Sequence, residues 1–162
     1  MLKRFVFVAG LVLAVGGAAM AQETPGMSAG LAFTYKGVDQ VKPVWGIQGR
    51  VAKMVSENLD VALLGDLYFQ PKGAQFYGGS VGPAVHYYLA DVSGFVPYVG
   101  VGGNFYFRDK FGGGATAEVN AGAKYAASEV LGVFGEAAWE GVKSKAFNKT
   151  PFNVRLGLTY GF

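Results

Sequence analysis

The chain offers few side chains that could do chemistry, and its single histidine is the first of them. As a metal ligand or a pH switch, His86 would need partners, and neither a second histidine nor any cysteine is present. Nucleophilic catalysis requires a base in contact with a nucleophile, and the chain has no His-x-Ser motif. We therefore interpret His86 as a structural residue, and we predict no catalytic, metal or cofactor-binding site and no enzymatic activity.

A glycine-rich run, Gly100-Val-Gly-Gly103, invites comparison with nucleotide-binding loops. The dinucleotide motif GxGxxG would need a third glycine at the position of Phe105, followed by a helix. Phe105 breaks the motif, and the residues after it alternate like a strand. The run therefore gives no support to nucleotide binding.

Acidic and basic residues on neighbouring segments offer a different chemistry, that of ion pairs in a narrow interior. Acids and bases are nearly matched there; they include Glu118, Glu136, Glu140, Lys124, Arg108 and Arg155. Buried charges persist mainly when they are paired and hydrogen-bonded. We predict an ion-pair network in which Glu136 meets Arg155, with Glu118 and Lys124 alongside and Glu140 as an alternative partner. A gated pore and a proton path remain open alternatives.

The elements that would position these charges are eight segments of alternating polarity. The predicted strands cover residues 27–35, 44–53, 59–70, 76–89, 95–108, 116–125, 131–140 and 152–162. Period-two alternation places apolar side chains on one face of a strand and polar ones on the other. Each segment approaches the 9–11 residues with which a tilted strand crosses a bilayer. An even number of strands lets the sheet close without an edge in lipid.

The distribution of charge decides which face would point inward. Almost every strand charge falls on the polar face, and the exception, Lys53, lies at a strand end where it can snorkel. A charge on the lipid face near the midplane costs about 2–4 kcal/mol. The opposite arrangement, a secreted lipocalin-like barrel, would force every large aromatic side chain into a lumen that holds little. The pattern therefore favours an apolar face in lipid and a polar interior.

Connections and aromatic residues orient this predicted barrel. Segments 56–58, 90–94 and 126–130 are turn-like, and longer connections cover 37–43, 71–74, 109–114 and 141–150. Outer-membrane barrels place short turns in the periplasm and longer loops outside, so both termini are predicted to be periplasmic. Aromatic residues gather at two predicted rims, as membrane headgroups favour. The loop-side rim comprises Tyr35, Trp45, Phe69, Tyr77, Phe105, Phe107, Trp139 and Phe152, and the other comprises Tyr87, Phe95, Tyr125, Tyr160 and Phe162.

The first 21 residues read as a secretory signal peptide. Lys3 and Arg4 precede an apolar stretch, and Ala19-Met20-Ala21 offers a small-x-small cleavage site. We assign 1–21 to this signal and 22–162 to one barrel domain. Removing Lys3 and Arg4 lowers the formal net charge from +3 to +1, which gives no argument for nucleic acid. Only 15% of the residues are charged, against about a quarter in soluble domains.

The ending Val154-Arg-Leu-Gly-Leu-Thr-Tyr-Gly-Phe162, an alternating strand closed by an aromatic residue, resembles the insertion signal of bacterial outer-membrane barrels. With the eight alternating segments, the chain resembles the small eight-stranded outer-membrane proteins, the OmpA-like and OmpX-like transmembrane domains. That resemblance implies an all-β fold: a closed, antiparallel, up-and-down transmembrane β-barrel in a Gram-negative-type outer membrane. It also implies outer-membrane lipids, the barrel-insertion machinery and periplasmic chaperones as partners.

These sequence patterns define the function of the protein less well than its fold. We favour a structural or membrane-integrity protein whose lumen is plugged by ion pairs. The alternatives are a small channel or porin-like protein and a loop-based adhesin or receptor. These classes differ in whether the interior conducts and whether the loops bind a partner.

Overall fold

The computed structural model describes residues 26–38, 41–70, 75–107, 114–141 and 152–161. These residues form eight β-strands, whose bounds are β1 Met27–Val38, β2 Val41–Ser56, β3 Leu59–Phe69, β4 Phe76–Tyr88, β5 Phe95–Phe107, β6 Gly114–Ala126, β7 Leu131–Gly141 and β8 Phe152–Gly161. Within these ranges no helix is long and apolar enough to cross a membrane. The predicted signal peptide (1–21), Arg108 and Phe162 lie outside the described residues.

The strands form a closed antiparallel barrel in which each strand pairs with its neighbours in sequence. Closure occurs between the first and last strands, where Leu31 of β1 lies opposite Leu158 of β8. The predicted fold class is therefore confirmed. Closure matters physically because an unpaired strand edge in hydrocarbon would leave backbone N–H and C=O groups without partners.

The alternation predicted from the sequence is present around the barrel. On β1, Leu31 and Phe33 point outward and are exposed, while Ala32, Thr34 and Lys36 point inward and are buried. The same two-residue period continues on the other strands, because successive side chains of a strand leave opposite faces. The outward face is thus apolar, and the interior holds most of the polar side chains.

Tyr77 is an exception, and its predicted outward position is wrong. The β3–β4 register shifts at this point, since Tyr68 lies opposite Gly78 whereas Phe69 lies opposite Phe76. The extra residue in β4 is a β-bulge, which changes the face that the side chains before it occupy. Tyr77 is consequently buried in a cluster with Val44, Tyr68 and Tyr106.

Large interior side chains fit because glycines lie opposite them in the register. Tyr98 of β5 lies opposite Gly122 of β6, and Phe134 of β7 lies opposite Gly157 of β8. A Cβ atom at Gly122 or at Gly157 would come within 2.7 Å of the facing ring. Each ring therefore lies across a strand that has no side chain there, which lets eight strands enclose large residues.

At one end of the barrel the strands are joined by short turns, which local hydrogen bonds stabilise. Asp91 Oδ1 accepts a 2.7 Å hydrogen bond from the backbone N–H of Gly94, where the chain takes positive φ values at Ser93 (58°) and Gly94 (85°). Ser128 Oγ accepts a 3.0 Å hydrogen bond from the N–H of Leu131. Side-chain acceptors of this kind are typical of tight turns. We call this the short-turn end and the opposite one the long-loop end.

Candidate functional site

The interior of the barrel is the candidate site, because nearly all the described charged strand residues lie there. Its centre is formed by strands β5 to β8, whose inward positions carry Asn104, Glu118, Glu136 and Arg155. The register places Glu136 directly opposite Arg155. We call these four residues the central cluster; all four are buried.

Arg155 holds the central cluster together through both of its terminal nitrogens. Nη1 lies 2.7 Å from Glu118 Oε1 and Nη2 lies 2.8 Å from Glu118 Oε2, a bidentate pair. Nη1 also lies 2.5 Å from Glu136 Oε1. Bidentate arginine–carboxylate pairs combine charge attraction with a fixed geometry. The predicted network joining Glu136, Arg155 and Glu118 is confirmed.

Neutral donors complete the coordination of both carboxylates. Asn104 Nδ2 donates to Glu118 Oε2 at 3.0 Å, and the Tyr98 hydroxyl donates to Glu136 Oε2 at 3.0 Å. Such additional hydrogen bonds are what make a buried ion pair tolerable, because each charge has lost its water. The cluster is therefore well satisfied on its acidic side.

Two further predictions about this network are wrong. Lys124 forms no ion pair with any described residue; it lies six positions along β6 from Glu118, about 20 Å in an extended strand, and the residue opposite it on β7 is Phe134. Glu140 does not replace Glu136 beside Arg155; its carboxylate pairs with Lys36 instead. For both residues the predicted face of the strand is correct, whereas the predicted position along the barrel axis is wrong.

Lys36 is the functional-site residue that sequence reasoning missed. Its Nζ lies 2.6 Å from Glu140 Oε1, and it also bonds the Tyr106 hydroxyl, which itself donates to Glu140. Asn153 and Thr116 donate to the same carboxylate at 2.7 and 3.1 Å. The available signal was its phase, since Lys36 follows Ala32 and Thr34 on the inward face. We call Lys36, Tyr106, Thr116, Glu140 and Asn153 the lysine cluster, and it lies toward the long-loop end.

His86 belongs to a third group, the histidine cluster, formed with Arg50, Asp60 and Tyr88 toward the short-turn end. Its Nδ1 lies 2.8 Å from Asp60 Oδ1, while Arg50 Nη2 lies 2.6 Å from Asp60 Oδ2. The Tyr88 hydroxyl donates to Asp60 Oδ2 at 2.6 Å. Asp60 thus has three hydrogen-bond partners from the two neighbouring strands, Arg50 on β2 and His86 and Tyr88 on β4.

The other side of the imidazole ring faces the central cluster. His86 Nε2 lies 3.9 Å from Glu136 Oε2, and Asn120 Nδ2 lies 3.5 Å from the same ring nitrogen. Among the described hydrogen-bond partners of His86 there is no serine, threonine or cysteine. The ring therefore links two charged clusters and is fully buried, an arrangement that fits a structural role.

Asp66 is distinct from the other interior carboxylates. It accepts hydrogen bonds from Gln48 Nε2 at 3.1 Å and from Ser80 Oγ at 3.3 Å. Each of the other buried carboxylates in the described strands has a cationic side chain within 4.0 Å, whereas Asp66 has none among the described residues. Within the same residues, no group of three histidine or acidic side chains could hold a metal ion.

Comparisons with known proteins bear on the fold. No protein-family model matches the chain, and no curated protein matches it in sequence. Neisserial surface protein A has a similar structure, with a TM-score of 0.66 and 14% identity, covering 84% of this chain and 96% of that one.

Two further barrels are also similar. A de novo designed transmembrane β-barrel gives a TM-score of 0.58 at 19% identity, covering 87% of this chain and 99% of that one. The outer-membrane protein Ail of Yersinia pestis, in a phospholipid bilayer nanodisc, gives 0.51 at 11%, covering 83% and 99%. At these identities the likeness concerns the fold alone: the chain has the fold of small eight-stranded outer-membrane β-barrels.

Proposed function

We propose that this eight-stranded barrel is a structural protein of the bacterial outer membrane whose lumen is closed by its own ion pairs. The proposal rests on one observation, the separation of charged and apolar side chains between the inner and outer faces of the barrel. Charged groups are buried inside, and large apolar side chains are exposed outside. Both termini lie in the periplasm in this proposal, since the short turns share their end of the barrel.

The exposed apolar surface supports placement in lipid. In a soluble protein, contiguous exposed apolar patches rarely exceed a few hundred Å². Here outward apolar side chains are exposed on all eight strands; they include Leu31, Ile47, Leu63, Val85, Val101, Val119, Val133 and Leu156. Hydrocarbon is the environment that stabilises such a surface, because no water has to order around it.

The interior supports a closed lumen at three depths. Lys36 and Tyr68 occupy the long-loop side, Arg155 the centre, and Tyr98 and His86 the short-turn side, and all are almost fully buried. An eight-stranded barrel encloses only about enough room for side chains. Large, paired side chains at every depth leave a poor path for hydrated solutes.

In this proposal the protein is not an enzyme, and membrane lipids are its main partner. His86 is held between Asp60 and the central cluster, away from the lipid-facing surface. During assembly, periplasmic chaperones and the barrel-insertion machinery are the proposed partners, because the exposed apolar outer surface has to be kept from water until the barrel reaches lipid. The membrane-integrity role follows from a wall that contacts lipid and an interior that is occupied by its own side chains.

Single-channel recording in planar bilayers tests the closed lumen. We expect the refolded protein to give no steady conductance, because a permeating ion would have to displace buried ion pairs. Heat-unfolded protein at the same concentration sets the baseline, and a porin of known conductance shows that insertion is detected. Reproducible conductance steps that scale with salt concentration would instead favour the channel. Silence together with loop-dependent binding to cells would favour the receptor.

A further inference from the structure

A threonine hydroxyl and a lysine ammonium at the short-turn end of the lumen have no partner among the described residues. Thr159 of β8 is only 4% exposed, and its Oγ1 forms no hydrogen bond with them. Lys124 of β6 faces inward and is half-buried, and it is absent from the described ion pairs. A buried polar group without a partner is costly, so each one needs an explanation.

The two side chains converge over Gly132 of β7. A Cβ atom at Gly132 would lie 2.7 Å from Lys124 Cε and 2.8 Å from Thr159 Oγ1. Lys124 lies opposite Phe134 and extends from there toward the short turn after β6, where Gly132 has no side chain to obstruct it. The ammonium, one bond beyond Cε, therefore lies near the threonine hydroxyl.

The rotamer of Thr159 directs its hydroxyl to this side. In the register, Thr159 lies between Gly30 of β1 and Gly132 of β7. Its methyl carbon Cγ2 is the side-chain atom near Gly30, 3.2 Å from the place of a Cβ atom, whereas Oγ1 is the atom near Gly132. The one hydrogen-bonding atom of this side chain thus faces Lys124.

The charge of Lys124 is not neutralised within the described part of the barrel. The other described inward lysine and arginine residues, Lys36, Arg50 and Arg155, each contact a carboxylate. The side-chain charge that acts most strongly on Lys124 is that of Arg50, another cation. The next is that of Asp60, which is already paired with Arg50.

Acidic residues of the short turns leave Lys124 unpaired as well. Glu57, Asp91 and Glu129 are exposed in these turns, and the ion pairs between described residues include none of them. An unpaired ammonium beside an unpaired hydroxyl offers two donors and no charge to balance them. An oxyanion would satisfy both groups at once.

We propose that Lys124 and Thr159 form a binding site for a phosphate group at the short-turn mouth of the barrel. A lysine ammonium binds phosphate as a point charge, and the hydroxyl can donate to a second oxygen of the same group. Free phosphate and a phospholipid headgroup share this chemistry. The site follows from the fold; only the side of the membrane on which it opens rests on the placement proposed above.

A titration followed by NMR tests the site. The protein is refolded in dodecyl maltoside micelles, which contain no phosphate, with its lysines labelled with 13C at Cε. The resonance of Lys124 is identified by its loss in K124M. Inorganic phosphate and short-chain phosphatidylglycerol are added separately at equal phosphate concentrations. We expect a saturable shift of the Lys124 resonance, and the ligand that binds more tightly identifies the source of the phosphate group.

Two controls separate a site from a solvated lysine. Lys53 also lies at the short-turn end, but it is exposed on the outer face, so its resonance should shift little and without saturation. T159V keeps the shape of the threonine and removes its hydroxyl. It should weaken binding at Lys124 about tenfold, the usual effect of losing one hydrogen bond to a charged group. Sodium chloride at equal ionic strength corrects for screening.

The contrary results are distinct. Absent shifts, or parallel and unsaturated shifts of Lys124 and Lys53 with both ligands, would show at most screening of exposed ammonium groups and would overturn the site. Binding as tight in T159V as in the unmodified protein would show that the hydroxyl takes no part, which also overturns it. Neither result bears on the membrane placement, because the titration is made in micelles.

Discussion

Replacing Arg155 with methionine is expected to destabilise the refolded barrel by about 3–5 kcal/mol, the usual consequence of removing one partner from a buried ion pair. Arg155 bonds Glu118 through two nitrogens and Glu136 through one. Without the guanidinium, two buried carboxylates would face each other without a cation. Urea unfolding in detergent micelles, followed by tryptophan fluorescence, measures the loss.

The matched control removes the carboxylates as well. In R155M/E118Q/E136Q no charge is left uncompensated, and the neutral amides keep much of the original shape. We expect this triple variant to be clearly more stable than the sum of the single losses predicts, because residues in one network are not additive. Strict additivity would show that something other than this ion-pair network stabilises the interior.

Replacing Leu156 with arginine is expected to cost about 2–4 kcal/mol in a bilayer, the typical penalty for this side chain on the lipid face at the midplane. Leu156 lies midway along β8 on the outward face and is 63% exposed. Its neighbour Arg155 is tolerated because it faces inward and is paired. The free energy of unfolding from lipid vesicles, measured by urea titration, gives the magnitude.

The control is the same substitution at an outward position near the membrane interface. Val55 is also exposed but lies beside the short turn after β2, where arginine should cost about 0–1 kcal/mol because it reaches the interface. Equal, small losses for L156R and V55R would mean that the outward surface meets water rather than hydrocarbon.

The alternating pattern was sufficient to predict most of the fold. Each strand contributes its own period-two signal, and closure needs only an even number of strands and lipid outside. Strand ends were less certain: β1 continues to Val38, because Lys36 is stabilised by Glu140 on β7 and Tyr106 on β5. No local sequence pattern indicates that Lys36 will pair with residues so distant in the chain.

The wrong predictions about interior residues have two physical causes. A β-bulge inserts one residue and reverses the phase locally, as at Tyr77, and alternation alone does not reveal it. Depth along the barrel depends on the stagger between strands, which decides that Glu140 meets Lys36 while Glu136 meets Arg155. Which face a charge occupies could therefore be predicted, whereas the pairing of Lys36 on β1 with Glu140 on β7 could not, because the face of a residue does not give its depth along the barrel.

The apolar outer face of this barrel is expected to contact lipid while the charged face is enclosed. Tryptophan quenching tests it most directly, because Trp45 and Trp139 both lie on the outward face, Trp45 stacked on Phe69 and Trp139 beside Phe152. In vesicles, W45F and W139F leave one indole each. We predict strong quenching of both by phospholipids brominated near the headgroup and little by aqueous iodide, as rim tryptophans require. Efficient quenching by iodide with none by brominated lipid would show that the outward face contacts water, which contradicts its placement in lipid.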